Sequence, residues 1–318
     1  MDAFSVARLV VGAGFLAVAA VLDVRTRRVR DPVWIALGSV GLAILAVDLV
    51  AIEAGLNRWL LLGSAAILFF AVFYGKPILD EDGIHLRPVR VLVMGVAAVS
   101  FVLALLLPES PLLFLPHAGL PGRTIPLSAL ASMPVLLVVY QGFFQLGLLR
   151  GGADTKAMMA LTLLVPYYPD LAPFPVLVRP SNVANAMGTL FPFSLIVFVN
   201  AAVLFLAIPV AYLLVNAIRG DFELPQALFG TKAPLDHLPP HVWLMERVDR
   251  HGERVTVLFP SHAKDESEDI AKLRTAGADR VWVQPKVPFL VPLFAGFLLA
   301  FFVGNVMLGF LTAVLPHP

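Results

Sequence analysis

The chain has 318 residues, 59% of them hydrophobic and only 14% charged, against about 25% charged in an ordinary soluble domain, so a water-soluble globule is excluded and an integral membrane protein indicated. The 23 Lys and Arg nearly balance 22 Asp and Glu, for a net charge of +1, which leaves no polycationic surface to hold nucleic acid. Cysteine is absent, which removes disulfides, thiolate nucleophiles and Cys-ligated metal centres, so catalysis must rest on oxygen or nitrogen side chains.

A helix needs about 20 apolar residues to cross a hydrocarbon core of about 30 Å. Taken in order, the runs 4–22, 33–51, 59–74, 89–107, 127–149, 190–216 and 287–315 qualify, while 157–168 is apolar but short. Topology decides that short segment. With the N-terminus outside and 157–168 crossing, the loops 23–32, 75–88, 150–156 and 217–286 share one face. On or beside them lie 19 of the Lys and Arg residues, leaving Arg8, Arg58, Arg123 and Arg179 for the other face. By the positive-inside rule the first face is cytoplasmic. The expected fold is all-α and polytopic, with about eight transmembrane helices and a small α/β cytoplasmic insert before the last. The first run is expected to stay attached, because its basic cluster follows the apolar stretch, the reverse of a secretory signal.

The expected domains are a membrane core over 1–216, the insert over 217–286 and a final helix with the C-terminus over 287–318. The insert concentrates 21 charges in 70 positions. Val242 to Val248 and Arg254 to Phe259 flank a Gly-containing turn and read as a strand pair. A helix follows from about Asp265 to Ala276, with Ser261 positioned to cap a turn ahead of it and Gly277 as its stop, and Arg280 to Gln284 reads as a third strand.

Ionisable groups in membrane spans are costly and therefore few. Arg8 and Asp48 each lie one turn inside the outer end of a span and read as a structural ion pair. Asp23 stands at the inner end of the first span and opens a basic loop that runs to Asp31; taken alone it reads as a partner of those arginines. Asp154 follows Gly151-Gly152-Ala153, where glycines let the chain bend tightly and deliver a carboxylate to the same inner edge; as a helix N-cap it would instead accept amide hydrogen bonds. Together the two aspartates suggest a mechanism. Two carboxylates sharing a poorly solvated site hold one proton between them, so one serves as base and the other as acid in adding water to a peptide carbonyl. The seven histidines are scattered without ligand spacing, and Pro239-Pro240 keeps His237 and His241 off one helical face. No metal and no cofactor is expected.

The run Asp23-x-Arg25 through Val29-x-Asp31, Gly151-Gly152-Ala153-Asp154-x-Lys156 with Met158 to Pro169, Phe229 to Leu235, and Val281 to Pro292 resemble the type IV prepilin peptidase family, especially its archaeal preflagellin peptidase branch. The resemblance covers most of the chain. It implies a membrane aspartic endopeptidase of the GxGD type that removes a short basic leader from pilin-like or archaellin precursors at the cytoplasmic face. Asp23 and Asp154 would be its catalytic pair, with Gly151, Gly152, Ala153 and Lys156 shaping the loop. One departure is Ala153, which stands where the family signature has its second glycine and requires ordinary backbone angles there. Another is the missing Cys-x-x-Cys insert of methylating relatives, so peptidase activity without methyl transfer is expected. Asp80, Glu81 and Asp82 would meet the basic leader, and Arg25, Arg27 and Arg28 would face anionic lipid headgroups. The expected partners are therefore precursor proteins and membrane lipid, with the oligomeric state open. A transporter or channel handling protons or cations through the inner-edge aspartates is the alternative class.

Overall fold

Where the sequence supplies a cap or a proline, a membrane helix begins. Asp2 caps α1 (Ala3–Thr26), its carboxylate accepting the Ser5 N–H at 3.1 Å. Pro32 lies in the first turn of α2 (Asp31–Ala51) and Pro88 opens α4 (Pro88–Leu106), where a missing N–H costs nothing. Between them run α3 (Leu56–Phe73) and a two-residue ribbon, β1 (Leu79–Asp80) with β2 (Gly83–Ile84). Next come α5 (Leu127–Gln145), α6 (Gly152–Leu164), α7 (Phe193–Phe205) and α8 (Ala207–Arg219). The structure is a computed structural model and describes residues 2–74, 79–80, 83–84, 87–108, 125–149, 151–177, 191–249, 251–258, 260 and 266–314.

Among the described residues, six helical stretches are long and apolar enough to cross a membrane: α1 to α5 and the 27-residue stretch Phe193–Arg219 formed by α7 and α8. The chain is a multi-pass helical membrane protein. Two expected spans differ in detail. The run 127–149 stops being helical at Gln145, because left-handed Gly147 (φ 71°) turns the chain and the Leu148 N–H caps back onto the Phe143 carbonyl at 2.9 Å. The run 287–315 is two helices, α10 (Leu290–Phe302) and α11 (Val306–Val314), parted at Gly304, whose φ of 100° ends the first. Asn200 satisfies the broken backbone, donating to the Gly304 carbonyl at 2.8 Å and accepting the Val306 N–H at 3.1 Å.

The chain forms two compact units, one of Met1–Ala202 with Phe289–Pro318 and one of Val203–Pro288. In the first, α6 is the innermost helix. It packs against α2 and α5, with further contacts to α1 and α3, and every side chain from Ala157 to Leu164 is buried. A helix apolar on all sides has to be enclosed in this way. Gly41 of α2 lets it come close, since a side chain there would meet the Leu164 backbone at 2.7 Å. By contrast α4 buries only Ala97 and Ala104 and exposes Val89, Leu92, Val99 and Leu106, a surface suited to lipid. Arg8 and Asp48 form the expected ion pair at 2.9 Å, both almost wholly buried. The Tyr167 hydroxyl donates to Asp48 and accepts from Arg8, a partner that the sequence did not suggest.

In the second unit β7 (Arg280–Pro285) is the central strand, antiparallel to β3 (Thr231–Pro234) and to β4 (Val242–Leu244). The expected continuous strand over 242–248 is instead two. At buried Met245 the chain changes partner, so that β5 (Glu246–Val248) pairs with β6 (Arg254–Thr256). Met245 still donates its N–H to Trp282 at 2.9 Å, and Glu246 holds the bend by accepting the Trp282 N–H at 2.8 Å and pairing with Arg254 at 2.5 Å. α9 (Glu266–Thr275) and left-handed Gly277 (φ 73°) follow as expected, whereas Ser261 lies outside the described residues.

Candidate active site

Asp23 sits in the last turn of α1, which continues one turn beyond the apolar run that ends at Leu22. Its Oδ2 accepts the N–H of Leu290, the first residue of α10, at 3.3 Å. The carboxylate therefore faces a helix N-terminus, where free amides and the helix dipole meet negative charge.

Asp154 stands in the first turn of α6, ahead of the apolar stretch that starts at Ala157. It is not the N-cap: Gly151 occupies that position, and no side chain caps the helix. Gly151 has an extended backbone (φ −92°, ψ 116°), so neither a left-handed turn nor a tight bend explains the glycine. Space does. A Cβ on Gly151 would lie 2.1 Å from Asp154 Oδ2, whereas one on Gly152 would meet its nearest neighbour, in the Phe144 ring, at 3.8 Å. Ala153 is an ordinary helical residue, as its side chain requires.

The two carboxyl groups lie within electrostatic reach of each other. Burial pushes the Asp154 carboxyl up to about 7, and the charge of Asp23 adds to the rise. Asp154 thus keeps a proton at pH values where an ordinary carboxylate has lost it.

Lys156 bonds Asp31 Oδ1 at 2.6 Å, tying α6 to the first turn of α2. Asp31 is thereby accounted for by Lys156 and not by its own basic loop. Of that loop, Arg25 and Arg28 are exposed, but Arg27 is not; its Nε and Nη1 are buried. Asp80 ends β1, but its side chain, like Glu81 and Asp82, lies outside the described residues. Sequence reasoning missed the Leu290 amide, for which no local signal exists, and the inward turn of Arg27, which its position four residues after Asp23 could have suggested.

Two preflagellin peptidases are similar to this chain over more than half of its length. A preflagellin peptidase of Methanocaldococcus jannaschii is 28% identical over 184 residues, 56% of this chain and 73% of the relative. A preflagellin peptidase of Methanococcus voltae is 26% identical over 195 residues, 59% of this chain and 77% of the relative. Residues 223–306 match the family model described as Archaeal Peptidase A24 C-terminus Type II. The chain is thus similar to archaeal preflagellin peptidases and, in its C-terminal part, to archaeal A24 peptidases. The part matched by the A24 C-terminal model includes β3, β7 and all of α10, the helix whose first amide meets Asp23.

Proposed function

We propose that the chain is an aspartic endopeptidase that removes the short basic leader from archaellin or pilin-like precursors at the cytoplasmic membrane face. The observation that carries this reading is the pairing of Asp154, whose carboxyl burial and the charge of Asp23 push up to about 7, with Asp23 at an amide donor. The names of the preflagellin peptidase relatives support the substrate class. The excess of Lys and Arg on one set of loops supports a cytoplasmic site and a topology in which α6 and α10 complete eight crossings.

In this mechanism Asp23 takes a proton from a water molecule as the water oxygen bonds to the scissile carbonyl carbon. The carbonyl π pair moves to oxygen, which accepts a hydrogen bond from the Asp154 carboxyl group. Collapse restores the carbonyl and breaks the C–N bond, and the leaving nitrogen takes a proton from the pair. Asp80, Glu81 and Asp82 remain the proposed contact for the basic leader. Co-expression with a tagged archaellin precursor, followed by gel shift, tests the reading: wild type is expected to shorten the precursor, and an unshortened precursor beside inserted, folded enzyme would overturn it.

Gly151→Ala is expected to slow leader removal by about 100-fold, the size of effect that follows when a reacting group is displaced by about 1 Å. The new methyl group displaces the Asp154 side-chain carboxyl and not backbone, so thermal stability should change little. Gly152→Ala, with ordinary contact distances, should retain wild-type turnover in the same kinetic assay.

A further inference from the structure

Arg27 occupies the position just after α1, where its backbone is left-handed (φ 53°, ψ 22°) although it is not a glycine. Such strain persists only where the surroundings hold it, and it concentrates at functional sites. Here the Arg27 N–H donates to the Asp23 carbonyl at 3.0 Å, while the Thr26 hydroxyl donates to the Leu22 carbonyl at 2.8 Å and accepts the Arg28 N–H at 3.4 Å. The result is unlike that for Arg25 and Arg28, whose side chains stay exposed. The Arg27 guanidinium lies within electrostatic reach of Asp23, yet its Nε and Nη1 are buried and have no hydrogen-bond partner among the described residues.

A guanidinium has only donors to offer, so whatever completes these two atoms must be an acceptor. Buried polar groups are almost always satisfied, and an exception beside a reacting carboxylate calls for a ligand. A basic leader side chain is excluded by charge, whereas a peptide carbonyl presents the required lone pairs. We propose that the Arg27 guanidinium receives the carbonyl oxygen of the scissile peptide bond and carries part of the negative charge that builds on it during attack. Resting on the peptidase reading of Asp23 and Asp154, this makes Arg27 a third catalytic residue. No bond to Arg27 forms or breaks. The guanidinium and the Asp154 carboxyl share the oxyanion, and both hydrogen bonds relax when the C–N bond breaks.

The test is steady-state cleavage of a leader-bearing precursor by the purified full chain in detergent, for wild type, Asp23→Asn, Arg27→Gln and Arg27→Lys, each checked by thermal melting. Arg27→Gln is expected to lower kcat by about 100-fold or more, as loss of an oxyanion donor does, with KM within about threefold of wild type. Arg27→Lys, which keeps the charge without the planar fork, is expected to fall between the two, and it becomes the deciding variant if Arg27→Gln does not fold. A normal kcat with a raised KM would overturn the proposal in favour of leader binding. A normal plateau kcat with a displaced pH limb would overturn it in favour of a purely electrostatic effect on Asp23. Wild type that cuts beside a silent Asp23→Asn and a fully active Arg27→Gln sinks this proposal alone; silent, folded wild type sinks the peptidase reading with it.

Discussion

Leader removal is expected to collapse in Asp154→Asn and in Asp23→Asn, with kcat down by about 10²- to 10⁴-fold in each, the range that a positioned acid or base contributes. The double variant should be no worse than the weaker single one, because two groups that share one proton act as a unit and their losses do not add. Single-turnover cleavage, which separates chemistry from product release, measures both effects. The pH dependence has a definite sign. Asp154 is pushed up to about 7, first by burial and then by the charge of Asp23, and in the proposed mechanism it acts while protonated. Activity should therefore be present below pH 7 and decline above it with the slope of a single proton, the alkaline limb of a bell whose acid limb reports loss of the base. A rate that climbs from pH 7 to pH 9 would contradict the assignment of Asp154 as the acid.

The second large effect concerns the opposite ends of the helices. Asp48→Asn or Arg8→Met is expected to destabilise the first unit by about 3–5 kcal/mol, because each leaves one buried charge without its partner. The pair is joined at 2.9 Å and almost wholly buried, so water cannot fill in. Replacing both, as in Arg8→Met with Asp48→Leu and with Tyr167→Phe to remove the hydroxyl that bonds each of them, should restore most of the loss, since apolar groups of similar volume commonly match a buried ion pair. Thermal melting in detergent, with cleavage per folded molecule as a second readout, separates stability from chemistry. Equal melting points for the single and combined variants would mean that the pair does not couple.

The elements built from local patterns were legible in the sequence. Apolar runs of membrane length, the helix that ends at Gly277 and the last strand of the insert each follow from hydropathy or from one stop residue. The split at Met245 was not, because it depends on which strand each half meets and both halves carry the same β pattern. Nor was the break at Gly304, where a glycine in an apolar run gives no sign of being left-handed until Asn200 arrives from another helix to bind the freed backbone. Asp23 and Asp154 stood out as carboxylates at helix ends. The setting of each depends on tertiary contacts, with Asp23 taking an amide 267 positions away and Gly151 being a glycine for the sake of a side chain three residues on.

The enclosure of α6 has a consequence for the bilayer. Its 13 residues rise only about 20 Å, some 10 Å less than a hydrocarbon core of about 30 Å. A lipid-facing helix of that length would have to thin the bilayer around it. In the proposed eight-span topology α6 touches protein on all sides, so its hydrophobic mismatch would fall on its longer helical neighbours. The depth of Asp154 is then set by a scaffold of side chains, and acyl-chain length can vary without moving the residue relative to Asp23.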